Sequence, residues 1–337
     1  MRIEIEEHGM SRMSVRDTPT VIGMLIWTLL TMSVSVAWAQ EAGDASHSQQ
    51  ASAQGKGTEE IPASEVVAVY LLGGQSNMQG SGQVAELPEA VRETELHSFF
   101  WNGESFEPLV IGKTKTSANV KRFGPEVGLS LTFDRDSAGY LIKYHASGMP
   151  LHQGWNGNKW EGPGPGPQRR NFYPGENDDD PNCGTLYRAM VQRFQAGLQH
   201  LRDSGKTPEV KGFLWMQGEQ DAKHQESASR YAVSLKRLRD RVADDLNLER
   251  LPLVFGQVLP HEPALPRFTY RAEIRQSMAA ADADSGKDEA IPHAKMVSTD
   301  GMPLLKDTVH YNAEGQLQLG QAMAKTLQEV NHSQGKE

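Results

Sequence analysis

Apolar and polar positions change their rhythm repeatedly along this chain, and the changes mark its elements. Val66–Leu72 is a continuous apolar run of strand length that stops at Gly73-Gly74. Tyr140–His145, Val210–Met216, Leu253–Val258 and the short Met296–Ser298 have the same character and predict further strands. Between them the period lengthens. In Thr185–Ser204, residues Leu186, Met190, Phe194, Leu198 and Leu201 recur every three or four positions, the spacing of one helix face. Tyr231–Leu246, Thr269–Ala281 and Ala313–Val330 predict helices in the same way. Pro125 suits a first helical turn, and a helix is expected from Pro125 to about Ser137, although its apolar stripe is not clean. Phe99–Gly103 predicts a short strand ending in an Asn-Gly turn, with Phe106–Ile111 as its pairing partner. Strands alternating with helices indicate an α/β protein whose parallel sheet is covered on both faces.

Two segments break the alternation. Residues 40–63 are rich in Ala, Ser, Gln, Gly and Glu without apolar periodicity, and predict a disordered linker. Ala146–Gly184 is a long Gly/Pro/Asn stretch carrying Trp155, Trp160, Phe172 and Tyr173. Loops of that length are usually functional or disordered. Its aromatics and amides would suit a sugar-binding lip; the other reading is a loop that packs its own aromatics onto the domain.

The first 39 residues read as an export signal. Arg2, Arg12 and Arg16 precede the uncharged run 21–37, and Ala37-Trp38-Ala39 fits a cleavage site after Ala39. A retained anchor is the alternative, since the run approaches spanning length. Glu4, Glu6, Glu7 and Asp17 offset the arginines, so a translation start at Met10 or Met13 would give a more basic head. The expectation is a secreted or periplasmic protein without stable membrane association after cleavage. Its folded domain is expected over residues 64–332.

Composition narrows the function. The 337 residues carry a formal net charge of −9 with no long basic run, which argues against a nucleic-acid surface. The single cysteine, Cys183, rules out an intramolecular disulfide and reads as a semi-buried loop thiol. No phosphate-binding loop follows the glycines, and Met78 stands where a G-x-S-x-G elbow needs its second glycine. The acidic run Asp178–Asp180 lacks the spacing of a calcium loop, and no metal site is expected.

The candidate chemistry sits at the two ends of the predicted domain. Ser76 follows the two glycines, on a strand-to-helix turn at the carboxyl edge of the sheet, where ligands of open α/β sheets bind. By itself it would pass for an N-cap serine. Near the other end, Asp307 precedes His310 by three residues. A carboxylate so placed can fold back, accept from one ring nitrogen and leave the other free as a base. Taken with Ser76, the pair completes a nucleophile, a base and its orienter. Gln217, in Trp215–Asp221 at the end of the third main strand, carries an amide that could donate to an oxyanion. Gly124, ahead of the Pro125 helix, could offer a backbone N–H. Glu219 and Asp221 could equally be buttresses of the following helix.

Four blocks, Gly74–Met78, Phe123–Glu126, Gln217–Asp221 and Asp307–Asn312, resemble those of the SGNH hydrolase superfamily. They are most similar to carbohydrate esterase family 6 and the sialate O-acetylesterase-like proteins, over about Val66 to Leu327. The resemblance implies a flavodoxin-like three-layer α/β/α sandwich with a central parallel sheet. It implies removal of O-acetyl groups from carbohydrate without a cofactor. By position, Ser76 is the nucleophile, His310 the base and Asp307 its orienter, with the Ser76 and Gly124 amides and Gln217 forming the oxyanion hole. Where the superfamily's third block usually carries an Asn, this chain has Gln220, so either Gln217 or Gln220 fills that place. Gln75, Asn77, Glu219 and Trp155 are substrate-binding candidates. Acetylxylan is the first substrate expected; a sialate esterase, or a non-catalytic carbohydrate-binding protein on the same scaffold, are the alternatives.

Overall fold

The structure is a computed structural model that describes residues 64–177 and 179–332. The leader and linker expected over 1–63 lie outside the described residues, as does Asp178. Seven strands form one sheet: β1 (Glu65–Gly74), β2 (Ser98–Trp101), β3 (Phe106–Pro108), β4 (Gly139–His145), β5 (Lys206–Met216), β6 (Leu253–Gly256) and β7 (Ala294–Val297). Their spatial order is β7-β6-β5-β1-β4-β2-β3. All neighbours run parallel except β3, which closes one edge as an antiparallel hairpin with β2. The main sheet is thus parallel, as expected, and the expected Asn-Gly hairpin adds one antiparallel strand at its edge. The Asn102-Gly103 turn is too short for the crossover that a parallel pair requires.

Strand β1 lies in the middle, between β4 and β5, so its carboxyl end opens at the switch in strand order. Successive residues of β5 show how both faces are covered. Phe213 meets Phe194 of helix α3 (Thr185–Asp203). Gly212 points the opposite way, toward Leu327 of helix α6 (Ala313–His332). Helices α4 (Tyr231–Asp245) and α5 (Arg271–Ala281) complete the flanking layers. Buried Leu, Val, Ile and Phe side chains of β1, β4, β5 and β6 fill the space between. The three-layer α/β/α sandwich is as expected from the alternation.

Helix α2 (Pro125–Ser130) is shorter than expected. Beyond it, the Asp134 carboxylate accepts the N–H groups of Asp136 and Ser137, an Asx turn that replaces helical bonds. What α2 lacks in length it gains in contact with α6. Gly128 lies so near α6 that an added Cβ would stand 2.3 Å from the Leu317 carbonyl oxygen; one at Gly320 would stand 2.0 Å from that of Pro125. Among the described residues no helix is long and apolar enough to cross a membrane.

Candidate active site

The site begins where β1 ends. Gly74 adopts φ +149°, and a Cβ there would lie 2.0 Å from the Met216 carbonyl oxygen. That oxygen instead accepts the Gln75 N–H at 2.9 Å. Only glycine permits this turn. It delivers Ser76 to the first position of the short helix α1 (Ser76–Gln79), with the hydroxyl partly exposed.

Beneath α1 lies an ion pair with both side chains fully buried. Lys143, in the middle of β4, donates to Glu126 Oε2 at 2.5 Å, Thr116 O at 3.0 Å and Gln79 O at 3.1 Å. Its three protons are thus all placed, one of them on the last residue of α1. Burial pushes the Lys143 ammonium below its ordinary pKa, and the Glu126 charge opposes that push. Lys143 was not among the residues expected from sequence, although a lysine inside the apolar run YLIKYH was the available signal.

From the far end of the chain, the segment before α6 folds into a small hairpin. Leu304 bridges Tyr311, and Leu305 N–H donates to His310 O at 2.7 Å. Thr308 takes φ +59°, a left-handed conformation uncommon for a β-branched residue, and bends the Asp307 carboxylate back onto its own turn. Asp307 Oδ1 accepts the N–H groups of Val309 and His310, each at 2.9 Å. Asp307 Oδ2 accepts Nδ1–H of His310 at 2.6 Å. Partial burial works against the Asp307 charge, but these hydrogen bonds prevail and hold its carboxyl below the usual range. With Nδ1 so engaged, His310 Nε2 faces Ser76 Oγ at 2.9 Å and accepts a hydrogen bond from it. Residues 234 positions apart thus form one line of hydrogen bonds from carboxylate through imidazole to hydroxyl.

Ser76, Asp307 and His310 line a cavity of about 570 Å³ together with Gln75 and Glu219. That is the size range of small-ligand sites. Two roomier clefts, of about 680 and 660 Å³, include none of the three. The cavity wall also carries Arg122, Lys223 and Arg267. Lys223 Nζ and the Arg267 guanidinium stand 5.8 and 4.8 Å from the centroid of the Phe268 ring. Burial, then the Arg267 charge, lower the Lys223 pKa. These cations come from separate stretches of the chain, and no local pattern in the sequence announced them.

Several candidate residues stand elsewhere than expected. The Gln217 amide is fully buried and absent from the cavity wall. Its Nε2 donates to Asp221 Oδ2 at 2.7 Å, Met149 O at 3.1 Å and Gln75 Oε1 at 3.3 Å, so it is a strut with nothing left for an oxyanion. Gly124 N–H donates to Glu126 Oε1 at 2.7 Å and is likewise occupied. Gln220 reaches the cavity wall, but its Nε2 is buried without a partner while Lys223 holds its Oε1 at 2.7 Å. Asn77 turns into the protein rather than the cavity. Trp155 is 4% exposed and donates from Nε1 to Ser227 Oγ at 3.0 Å. Trp160 stacks with His152 and His224. Phe172 and Tyr173 are buried. Trp155 and Phe172 therefore pack the loop itself, and neither they nor Trp160 and Tyr173 line the cavity at Ser76. Asp221 pins the start of that loop, accepting the N–H groups of Leu151 and His152, and burial raises its pKa to about 6.

Two donors do open on the cavity. Ser76 N–H, in the first turn of α1, has no acceptor among the described residues. Gln75 Nε2 has no partner among the described residues, while its Oε1 is held by Gln217.

Known proteins resemble this chain in sequence and fold. The chain is 25% identical over 276 residues to a probable carbohydrate esterase of Arabidopsis thaliana, covering 76% of this chain and 88% of that one. It superposes on the X-ray structure of an Arabidopsis thaliana protein with a TM-score of 0.55, at 19% identity, over 78% of this chain and 98% of that one. A carbohydrate acetylesterase from Xanthomonas citri gives a TM-score of 0.52 at 15% identity, over 79% of this chain and 56% of that one. The sequence model for the carbohydrate esterases described as sialic acid-specific acetylesterases matches residues 66–329, and the chain belongs to that family.

Proposed function

We propose that this protein is a serine esterase that removes O-acetyl groups from carbohydrate through an acetyl-enzyme. The observation that carries the proposal is the unbroken bond line Asp307–His310–Ser76 at a cavity edge. A purely carbohydrate-binding protein would have no use for it. Ser76 Oγ attacks the acetyl carbonyl carbon while His310 Nε2 takes the hydroxyl proton. Asp307 keeps the imidazole in the tautomer that leaves Nε2 free and stabilises the imidazolium that forms. The carbonyl oxygen gains charge opposite Ser76 N–H and Gln75 Nε2, which take the place expected of Gly124 and Gln217. His310 then returns its proton to the departing sugar oxygen. Water, deprotonated by the same imidazole, attacks the acetyl-serine and releases acetate.

The walls favour one kind of sugar. Arg122, Lys223 and Arg267 make no ion pair among the described residues, and they gather at the mouth of a protein whose net charge is −9. An acetylated sugar that carries a carboxylate satisfies them; neutral acetylxylan, the first expectation from sequence, does not. An export signal over residues 1–39 would place the enzyme outside the cytoplasm, where such glycans occur.

Acetate release from matched neutral and carboxylate-bearing acetylated glycans tests this reading. The acidic substrates should react faster, with an advantage that shrinks as salt rises. Arg267→Ala should raise KM for the acidic substrates by about two- to fivefold, the scale of one exposed ion pair, and leave the neutral ones unchanged. Equal rates on both classes at low salt would refute the acidic-substrate reading.

A further inference from the structure

Asn77 stands next to the nucleophile, yet its side chain is 1% exposed and points away from the cavity. Nδ2 donates to Val309 O at 3.0 Å, and Oδ1 accepts the Tyr311 N–H at 3.2 Å. Val309 and Tyr311 are the residues on either side of His310. One side-chain amide therefore grips the peptide units before and after the histidine. Fixing both units fixes the direction of the His310 Cα–Cβ bond, and with it where the imidazole can reach.

The amide's second proton goes to Glu219 Oε1 at 2.7 Å. That contact selects the orientation of the group. Turned over, Asn77 would set its oxygen against the Val309 carbonyl and the Glu219 carboxylate, and its NH₂ against the Tyr311 N–H. Glu219 is itself 2% exposed, with Oε2 buried and without a hydrogen-bond partner among the described residues. A carboxyl group buried with so little support is costly. Desolvation accordingly raises its pKa. Orienting Asn77 gives this group a purpose that neither packing nor the reaction steps above supply.

We infer that Asn77, oriented by Glu219, is the positioning residue that sets His310 against Ser76. The inference rests on the catalytic reading of that pair. It ties three distant stretches of chain together, because Asn77 lies 142 residues from Glu219 and 232 from Val309. Serine and histidine arrive from opposite ends of the domain, and Asn77 joins them without touching substrate. Displacement of a reacting group by about 1 Å can cost on the order of a hundredfold in rate.

The test combines amide hydrogen exchange with kinetics on a small neutral aryl acetate. Asn77→Ala should speed exchange at the Tyr311 amide roughly tenfold or more, as its acceptor is lost. It should lower kcat on the order of a hundredfold, with KM within about twofold of the parent. Asn77→Asp should be at least as slow, because a carboxylate would face Glu219 and Val309 O. Adding Glu219→Gln returns a donor to that contact and should recover about tenfold in kcat over Asn77→Asp alone. Unchanged Tyr311 exchange in Asn77→Ala would overturn the inference. So would loosened exchange with undiminished kcat, or no recovery in the swapped pair. If the unaltered protein hydrolyses no acetate, the catalytic reading falls with it, and Tyr311 exchange still reports separately whether the grip exists.

Discussion

Removing the carboxylate of Glu126 probes the support beneath the Ser76 turn. In Glu126→Ala the Lys143 ammonium keeps Gln79 O and Thr116 O but loses its counter-charge and one acceptor, with no solvent to replace them. Breaking a fully buried pair from one side costs about 3–5 kcal/mol, far more than an exposed pair. The loss of the Gly124 N–H acceptor adds about 1 kcal/mol. Equilibrium urea unfolding should therefore show a loss of about 4–6 kcal/mol, as a lower midpoint with an unchanged slope. Lys143→Met should also be destabilising, since Glu126 then keeps only the Gly124 N–H. The double variant Glu126→Ala/Lys143→Met buries no charge and should lose less than the sum of its parts, by about 2–3 kcal/mol of coupling. A loss below about 1 kcal/mol in Glu126→Ala, or additive single and double variants, would refute the reasoning that a desolvated pair holds this turn.

Three further expectations follow from the geometry. Gly320→Ala drives a Cβ into the backbone of α2, 2.0 Å from Pro125 O, and should cost at least about 1–3 kcal/mol by thermal unfolding; an unchanged midpoint would mean the helices are not in such close contact. Gly74→Ala collides with Met216 O from a left-handed backbone and should abolish activity together with most of the stability; an active, stable variant would contradict the turn described. The pH dependence of stability comes from buried groups with opposing signs. Burial, then Lys143 and Arg193, lower His145 to about 3; burial, then Arg230 and His224, lower His152 to about 4. The unfolded chain binds protons that these native histidines refuse, so their contribution is complete above pH 6.5 and is lost as pH falls below it. Between that pH and about 4, each histidine should cost about 3 kcal/mol. Asp221, raised to about 6, acts the other way and returns about 2 kcal/mol over the same interval. Urea unfolding should show a net loss toward pH 4, and the difference between the parent and His145→Asn should slope across that interval; a flat difference would remove His145 from the account.

Legibility from sequence followed the range of the interactions. Strand β1 with its two glycines, and the amphipathic α3, are dictated by neighbours along the chain, and their expected bounds agree with the structure to within a few residues. Helix α2 was overextended because Asp134 competes for the backbone through a local turn that an apolar count ignores. The Ser, Asp and His blocks could be read in order, because Asp307 and His310 share one turn and Ser76 sits on a glycine-defined one. Which side chain beyond β5 faces the cavity could not be read. Gln217 and Gln220 are chemically alike, and only the partners of Gln217, including Asp221 and Met149, reveal that it faces inward. Trp155 and Trp160 had two readings, and the choice depended on Ser227 and His224 from another part of the chain. Asn77 had no local signal at all, since what it holds lies more than 200 residues away.

The most direct measurement is active-site titration of the full chain with a small organophosphate, the adduct located by tandem mass spectrometry. The structure predicts one equivalent bound at Ser76, none in Ser76→Ala, and labelling slowed on the order of a thousandfold or more in His310→Ala. An adduct on another residue, or labelling of Ser76 at the parent's rate once His310 is gone, would contradict the bond line on which the esterase proposal stands.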